Sequence, residues 1–386
     1  MMNRPTKLLI AILIPSLLLG LLFFVVRRDD TLVEAQLLAP AENPAGFTQA
    51  KGPRPLQFPS DHGPHPDFQT EWWYYTGNLE TTTGRRFGYQ LTFFRRALTP
   101  SSDRPERPSD WATQQVYMAH FALTDVDGQQ HQAFERFSRG AAGLAGAQAN
   151  PFQVWLEDWQ IEEVQPRIYR MYTSQEGLTL DLLLRDDKGP ILHGDRGYSQ
   201  KGPEPGNASY YYSLTRMETS GTIQLPGMAF EVRGLSWMDH EFSTSALSPG
   251  QVGWDWFSLQ LDDGSELMVF QIRREDGGID PRSSGTFVAT DGSSRNLTRN
   301  DFAIQVEATW RSPNSRARYP AQWKIVVPSL DLDLRIEPYL EDQELQVSYT
   351  YWEGAVQLEG VRSSTPVRGS GYIEMTGYAG SMQGQF

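Results

Sequence analysis

The sequence predicts an all-β chain of two tandem β-units behind an N-terminal membrane anchor or signal segment. Three observations lead there. From Glu71 onward, short runs of β-branched and aromatic residues alternate with turn punctuation, and no long segment carries a convincing 3.6-residue period. An aromatic hairpin pattern occurs twice, as WWYYTGNLETTTGRRFGYQLTFFRR (Trp72 to Arg96) and as WDWFSLQLDDGSELMVFQIRR (Trp254 to Arg274). The chain also begins with an uncharged apolar run from Leu8 to Val26, flanked by Arg4 and Lys7 on one side and Arg27-Arg28 on the other.

Taken in order, that run has the length of a bilayer span. It ends in Val25-Val26-Arg27-Arg28 rather than in a small-residue cleavage site, so an uncleaved anchor over residues 1–28 is expected, with cleavage after Ala35 as the alternative. Its two flanks carry equal numbers of Lys and Arg and so do not orient it; the signal-like start implies export. The expected location is therefore the periplasm, tethered to the inner membrane or released from it. Residues 29–55, rich in Ala and Pro, read as a linker.

A first β-unit is expected over 56–245 and a second over 246–386, each long enough for a small closed barrel or sandwich. Strands are read at Trp72 to Leu79, Phe87 to Arg96, Val116 to Asp125, Leu178 to Arg185, Tyr210 to Met217 and Trp254 to Leu261. Asp127-Gly128, Asp263-Gly264 and Asp291-Gly292 supply hairpin turns. The Pro- and Gly-rich stretches Thr99 to Asp110, Arg139 to Asn150 and Lys201 to Asn207 read as loops. The two aromatic hairpins differ in length by four residues, which a longer turn in the first absorbs, and they suggest duplication.

Composition excludes several classes. A net charge of -13 argues against a nucleic-acid surface. With no cysteine there is neither a disulfide nor a thiolate site. The sequence has no G-x-S-x-G elbow, phosphate loop, dinucleotide fingerprint or H-E-x-x-H.

The stretch GLSWMDHEFS (Gly234 to Ser243) places three titratable side chains between aromatic residues. On a regular strand Trp237, Asp239 and Glu241 share one face while Met238, His240 and Phe242 share the other. A carboxylate pair beside Trp can supply an acid and a base, because burial and like charge raise a carboxyl pKa. The bland alternative is a strand-end ion-pair network at the junction of the two units. Asp255, between Trp254 and Trp256, is the second acid candidate, and junctions between domains favour ligand sites. Glu71, Trp73 and Tyr75 share one face of their strand and Trp72 and Tyr74 the other. Asp61, His62, His65 and Asp67 are of metal-ligating type, but Gly63-Pro64 and Pro66 break their spacing; a loop over a pocket mouth is expected, and no metal or cofactor. His120, like Arg95, lies in a strand pattern, where a hydrogen-bonded core role is the commoner one. His131 and His193 receive no role.

Together the motifs DHGPHPDFQTEWWYYTGNL (61–79), GYQLTFFR (88–95), MAHFALTD (118–125), HGDRGYSQKG (193–202), ASYYYSLTRM (208–217), GLSWMDHEFS (234–243) and GWDWFSLQLDDG (253–264) resemble the carotenoid hydratase, or hydroxyneurosporene synthase-like, family, in particular its AttH-like secreted branch. The resemblance implies tandem lipocalin-like β-barrel domains and a hydrophobic ligand, lipid or isoprenoid-like, bound at the domain junction. It also implies hydration or isomerisation of that ligand, with Asp239 as acid, His240 or Glu241 as partner or base, and Asp255 as second acid. Glu71, Trp73, Tyr75, His120, Trp237, Trp254 and Trp256 would bind the ligand. Glu241-Phe242 stands where the hydratases carry Asn-Trp. Two other readings stay open: a non-catalytic lipid carrier or accessory factor of an inner-membrane transport complex, and a secreted hydrolase.

Overall fold

The computed structural model describes residues 46–103, 109, 111–244 and 247–383; the expected anchor and most of the expected linker lie outside the described residues. Among the described residues there is no α-helix, and no helix long and apolar enough to cross a membrane. The strands form two antiparallel, barrel-like sheets.

The first sheet contains β1 (Thr70–Glu80), β2 (Arg86–Ala97), β3 (Gln115–Asp125), β4 (Gln130–Arg139), β5 (Ala145–Ala149), β6 (Phe152–Leu156), β7 (Trp159–Gln165), β8 (Ile168–Gln175), β9 (Leu178–Asp186), β10 (Ile191–Leu192), β11 (Tyr198–Gln200), β12 (Ala208–Leu225) and β13 (Met228–Ser243). The second contains β14 (Gln251–Leu261), β15 (Glu266–Arg274), β16 (Ser284–Val288), β17 (Ser294–Thr298), β18 (Ala303–Arg311), β19 (Arg318–Val327), β20 (Leu332–Pro338), β21 (Glu344–Gln346), β22 (Thr350–Arg362) and β23 (Thr365–Met375).

Strand order carries the duplication further than the sequence does. The run β4-β3-β2-β1-β13-β12-β9-β8-β7 in the first sheet matches β17-β16-β15-β14-β23-β22-β20-β19-β18 in the second. In each, the first strand pairs with the last. Each expected strand lies within one of these elements, and one stretch read above as a loop, Arg139 to Asn150, holds the strand β5. Its Ala- and Gly-rich sequence has little strand propensity of its own. A close tertiary fit decides the matter, since a Cβ on Gly146 would lie 2.6 Å from the Trp155 ring of β6.

Both interiors are packed. Trp73, Tyr75, Tyr89, Trp159 and Tyr169 belong to the first core, and Trp323, Trp352 and Tyr319 to the second. A separate aromatic cluster, including Tyr74, Tyr211, Trp237, Trp256 and Phe270, lies between the sheets. Strands β1 and β14, and β13 from Ser236 on, are therefore buried on both faces. The sheets come close where β2 meets β22; Gly88 has no Cβ there, and one would lie 2.4 Å from the Ala355 Cβ.

Candidate active site

Between the sheets lies a cavity of about 160 Å³, whose walls include Trp72, Tyr74, Tyr211, Trp254, Trp256 and Phe270. Four carboxylates also line it, Asp239, Glu241, Glu353 and Glu374, and one lysine, Lys201. Strand alternation explains the set. On β1 Trp72 and Tyr74, and on β13 Asp239 and Glu241, turn to the second sheet, while Trp73 and His240 stack on each other on the opposite face.

The duplication gives the cavity an approximate twofold character. Trp72 and Tyr74 correspond to Trp254 and Trp256 in the repeated hairpin. Asp239 is the β13 partner of Tyr74, and Glu374 is the β23 partner of Trp256. Across the next ladder, Ser213 faces Asp239 and Glu353 faces Glu374. The two units thus offer equivalent acids to one space.

Asp239 accepts hydrogen bonds from Tyr211 Oη at 2.6 Å, from Trp237 Nε1 at 2.6 Å and from the Ser213 hydroxyl. Burial outweighs these three donors and, with the nearby Glu241, pushes its carboxyl up to about 7. Glu374 accepts from Trp254 Nε1 at 2.9 Å, and burial together with Asp239 and Glu241 pushes it up to about 7 as well. Burial and the neighbouring Glu374 hold Glu353 well above the usual carboxylate range, while Tyr74 Oη donates to it at 2.8 Å. Glu241 is bonded by Ser209 and ion-paired to Lys201 Nζ at 3.1 Å. Lys201 in turn stands 4.3 Å from the Phe270 ring centroid. An aromatic space with protonatable acids beside an ion-paired carboxylate can protonate an apolar ligand, shelter the resulting cation and activate water.

The other expected site residues fall elsewhere. Trp237 sits behind the cavity as a donor to Asp239. Trp73 and Tyr75 belong to the first core because they occupy the opposite face of β1 from Trp72 and Tyr74. Asp255 takes the corresponding face of β14, away from the cavity, where Arg273 at 3.0 Å and Gln271 at 2.8 Å satisfy it. His120 is buried between the units and bonded to Tyr351 Oη at 2.6 Å, without lining the cavity.

His240 and Glu71 meet in a second buried cluster. Glu71 accepts from Arg95 Nε at 2.7 Å and lies 2.7 Å from His65 Nδ1 and 2.9 Å from His240 Nε2. Burial alone would raise its carboxyl, but Arg95 and His65 bring it well below the usual range. His65, with Asp61 2.8 Å from its Nε2, is raised in spite of burial because two carboxylates flank it, whereas burial lowers His240. The ligating atoms of His65, Glu71 and His240 lie within 4.8 Å of one another, the spacing of a metal trio. Both histidines contact Glu71 Oε1 directly and the Arg95 guanidinium pairs with Oε2, so the Glu71 charge is already compensated and the trio is held as a hydrogen-bonded network.

Sequence reasoning did not single out Glu353, Glu374, Tyr211 or Lys201. The available signal was a lone acid in each of two apolar strands, TYWEGAV and GYIEM.

Comparison with known proteins agrees with the family resemblance. A family profile described as AttH-like matches residues 49–378. The structure superposes on an AttH-type protein of Nitrosomonas europaea with a TM-score of 0.76 and 36% identity, over 86% of this chain and 99% of that one. It superposes on kievitone hydratase of Nectria haematococca with a TM-score of 0.64 and 17% identity, over 87% and 98%. The dehydratase asqC of Emericella nidulans is 22% identical over 53% of this chain, and the match spans 60% of asqC.

Proposed function

Because this chain belongs to the AttH-like family, we propose that its cavity binds an apolar ligand of lipid or isoprenoid type and adds water to it, or removes water from it, by acid–base chemistry. One observation carries the reading: Asp239, its carboxyl pushed up to about 7, lines an aromatic cavity two residues along the strand from the ion-paired Glu241. That strand spacing separates the two groups by roughly 7 Å, room for a reacting bond between them. The hydratase and dehydratase relatives act in these same two directions.

In the hydration direction, Asp239 gives its proton to one alkene carbon. The faces of Trp72, Trp254 and Trp256 stabilise the cation left on the other. Glu241 takes a proton from the water that adds there. Glu374 is the second acid of the pair. In the same proposal, residues 1–28 tether the protein to the periplasmic face of the inner membrane.

Incubation with unsaturated isoprenoids in ¹⁸O-labelled water, read by mass spectrometry, tests the chemistry. Label is expected in an alcohol product, and Asp239→Asn should lower the rate about 10²- to 10⁴-fold. A protein that retains a lipid through purification yet incorporates no label across the panel is a carrier, and the enzymatic reading is then abandoned.

A further inference from the structure

His193 lies outside the acid–base pair but is joined to it. It is 1% exposed, and its ring is bonded on both sides: Nε2 lies 2.6 Å from Ser213 Oγ and Nδ1 2.8 Å from Thr286 Oγ1. Ser213 and Thr286 are themselves fully buried. Ser213 belongs to β12, directly across the ladder from Asp239, and donates its hydroxyl proton to the Asp239 carboxylate. Thr286 belongs to β16 of the second sheet, next to the edge strand β17. There the Thr286 hydroxyl also meets an outward acceptor, the amide oxygen of the exposed Asn296, at 3.4 Å.

Proton counting gives this chain a direction. A serine hydroxyl has one proton, and once Asp239 has given up its own, the charged carboxylate takes that of Ser213. Ser213 Oγ must then accept from His193 Nε2–H. With its proton on Nε2 the neutral ring has Nδ1 as an acceptor, so the Thr286 hydroxyl donates to it. With Asp239 charged and the Thr286 proton on the nearer His193 Nδ1 rather than on Asn296, every donor points inward, from the outer part of the second sheet to Asp239. Burial and Lys201 keep the ring neutral, lowering His193 to about 3, so the ring can accept and release a proton in one passage without storing charge.

We propose that Thr286, His193 and Ser213 form a proton-transfer chain that restores the proton of Asp239 from solvent while ligand fills the cavity. This rests on Asp239 being the acid of the proposed reaction. When Asp239 has given its proton to the ligand, the Ser213 proton moves to Oδ1, the Nε2 proton to Ser213 and the Thr286 proton to Nδ1. Water admitted beside the exposed Asn296 supplies the last and leaves as hydroxide, which the proton shed by Glu241 neutralises. The ring ends as the other neutral tautomer, and hydroxyl rotation with re-equilibration of the ring restores the starting state. Glu241, ion-paired at the cavity wall, loses the proton it took from the added water back to solvent, so the cycle balances.

The test fills the cavity with a saturated isoprenoid hydrocarbon, which cannot be hydrated, because an empty cavity would let water exchange the Asp239 proton directly. The infrared carbonyl band of protonated Asp239 is identified as the one lost in Asp239→Asn, and its shift is followed after rapid transfer of wild-type protein into D₂O. His193→Asn and Thr286→Val should slow that shift about tenfold or more, while Thr286→Ser, which keeps the hydroxyl, should match wild type. Backbone amide exchange measured in parallel separates a lost relay from a loosened fold. Equal carboxyl exchange in all four folded proteins overturns the relay and leaves the acid assignment standing. Absence of the band from wild-type protein near neutral pH overturns the acid assignment, and the relay with it.

Discussion

Glu71 sits with no exposed side-chain surface between Arg95, equally buried, and His65. Removing its charge strands the buried Arg95 guanidinium, and a broken buried ion pair costs about 3–5 kcal/mol. Glu71→Gln should therefore lower the urea midpoint strongly, with a loss in that range. Asp239 behaves in the opposite sense with pH. Its folded pKa, about 7, stands above the ordinary 3.8, so the folded protein holds a proton that the unfolded chain releases between those values. The stability linked to that proton is complete below about pH 4 and is lost as pH rises toward about 7. Glu374 adds to the same slope. Melting temperatures across that window should fall more steeply with rising pH in wild type than in Asp239→Asn/Glu374→Gln; equal slopes would remove the buried-acid description.

At the scale of elements, β13 was legible in advance. A period of two separates Asp239 and Glu241 from His240, whatever the strand packs against. The period could not say that both faces would be buried, one in a filled core and one in a cavity, because that depends on the second sheet. Asp255 shows the same limit: next to Trp254 and Trp256 in sequence, it was read with them, and alternation turns it the other way. Glu353 and Glu374 reach the cavity from β22 and β23, more than a hundred residues from Asp239, and only the strand order relates them. Gly88 is a contact of the same long-range kind. Gly88→Val should force β2 and β22 apart, destabilising by about 1–3 kcal/mol and reshaping the cavity between them. Ala355→Gly in the same chain should recover part of the loss in a denaturation series; a fully additive pair would mean that the two residues do not share this contact.

For the molecule as a whole, the two units are joined by buried charge as well as by aromatic packing. Glu266 of β15, fully buried, holds Lys188 of the first unit at 2.8 Å and also Arg216 of β12. Glu266→Ala should cost about 3–5 kcal/mol and split a single unfolding transition into two, as seen by calorimetry. One transition with unchanged midpoint would show that the aromatic cluster alone couples the units. We propose 56–245 and 246–386 as those units.

The pairing of first strand with last has a further consequence, for biosynthesis. Thr70 bonds to Ser243 across a sequence separation of 173 residues, and β1 has no other partner on that side. A chain growing from its N-terminus can zip β1 through β4 by local hairpins, yet the edge that β13 will fill stays open until nearly the whole first unit has emerged. Contacts so distant in sequence form slowly. Until they do, the unpaired edge of β1, with its run of tryptophan and tyrosine, is open to pairing with other chains.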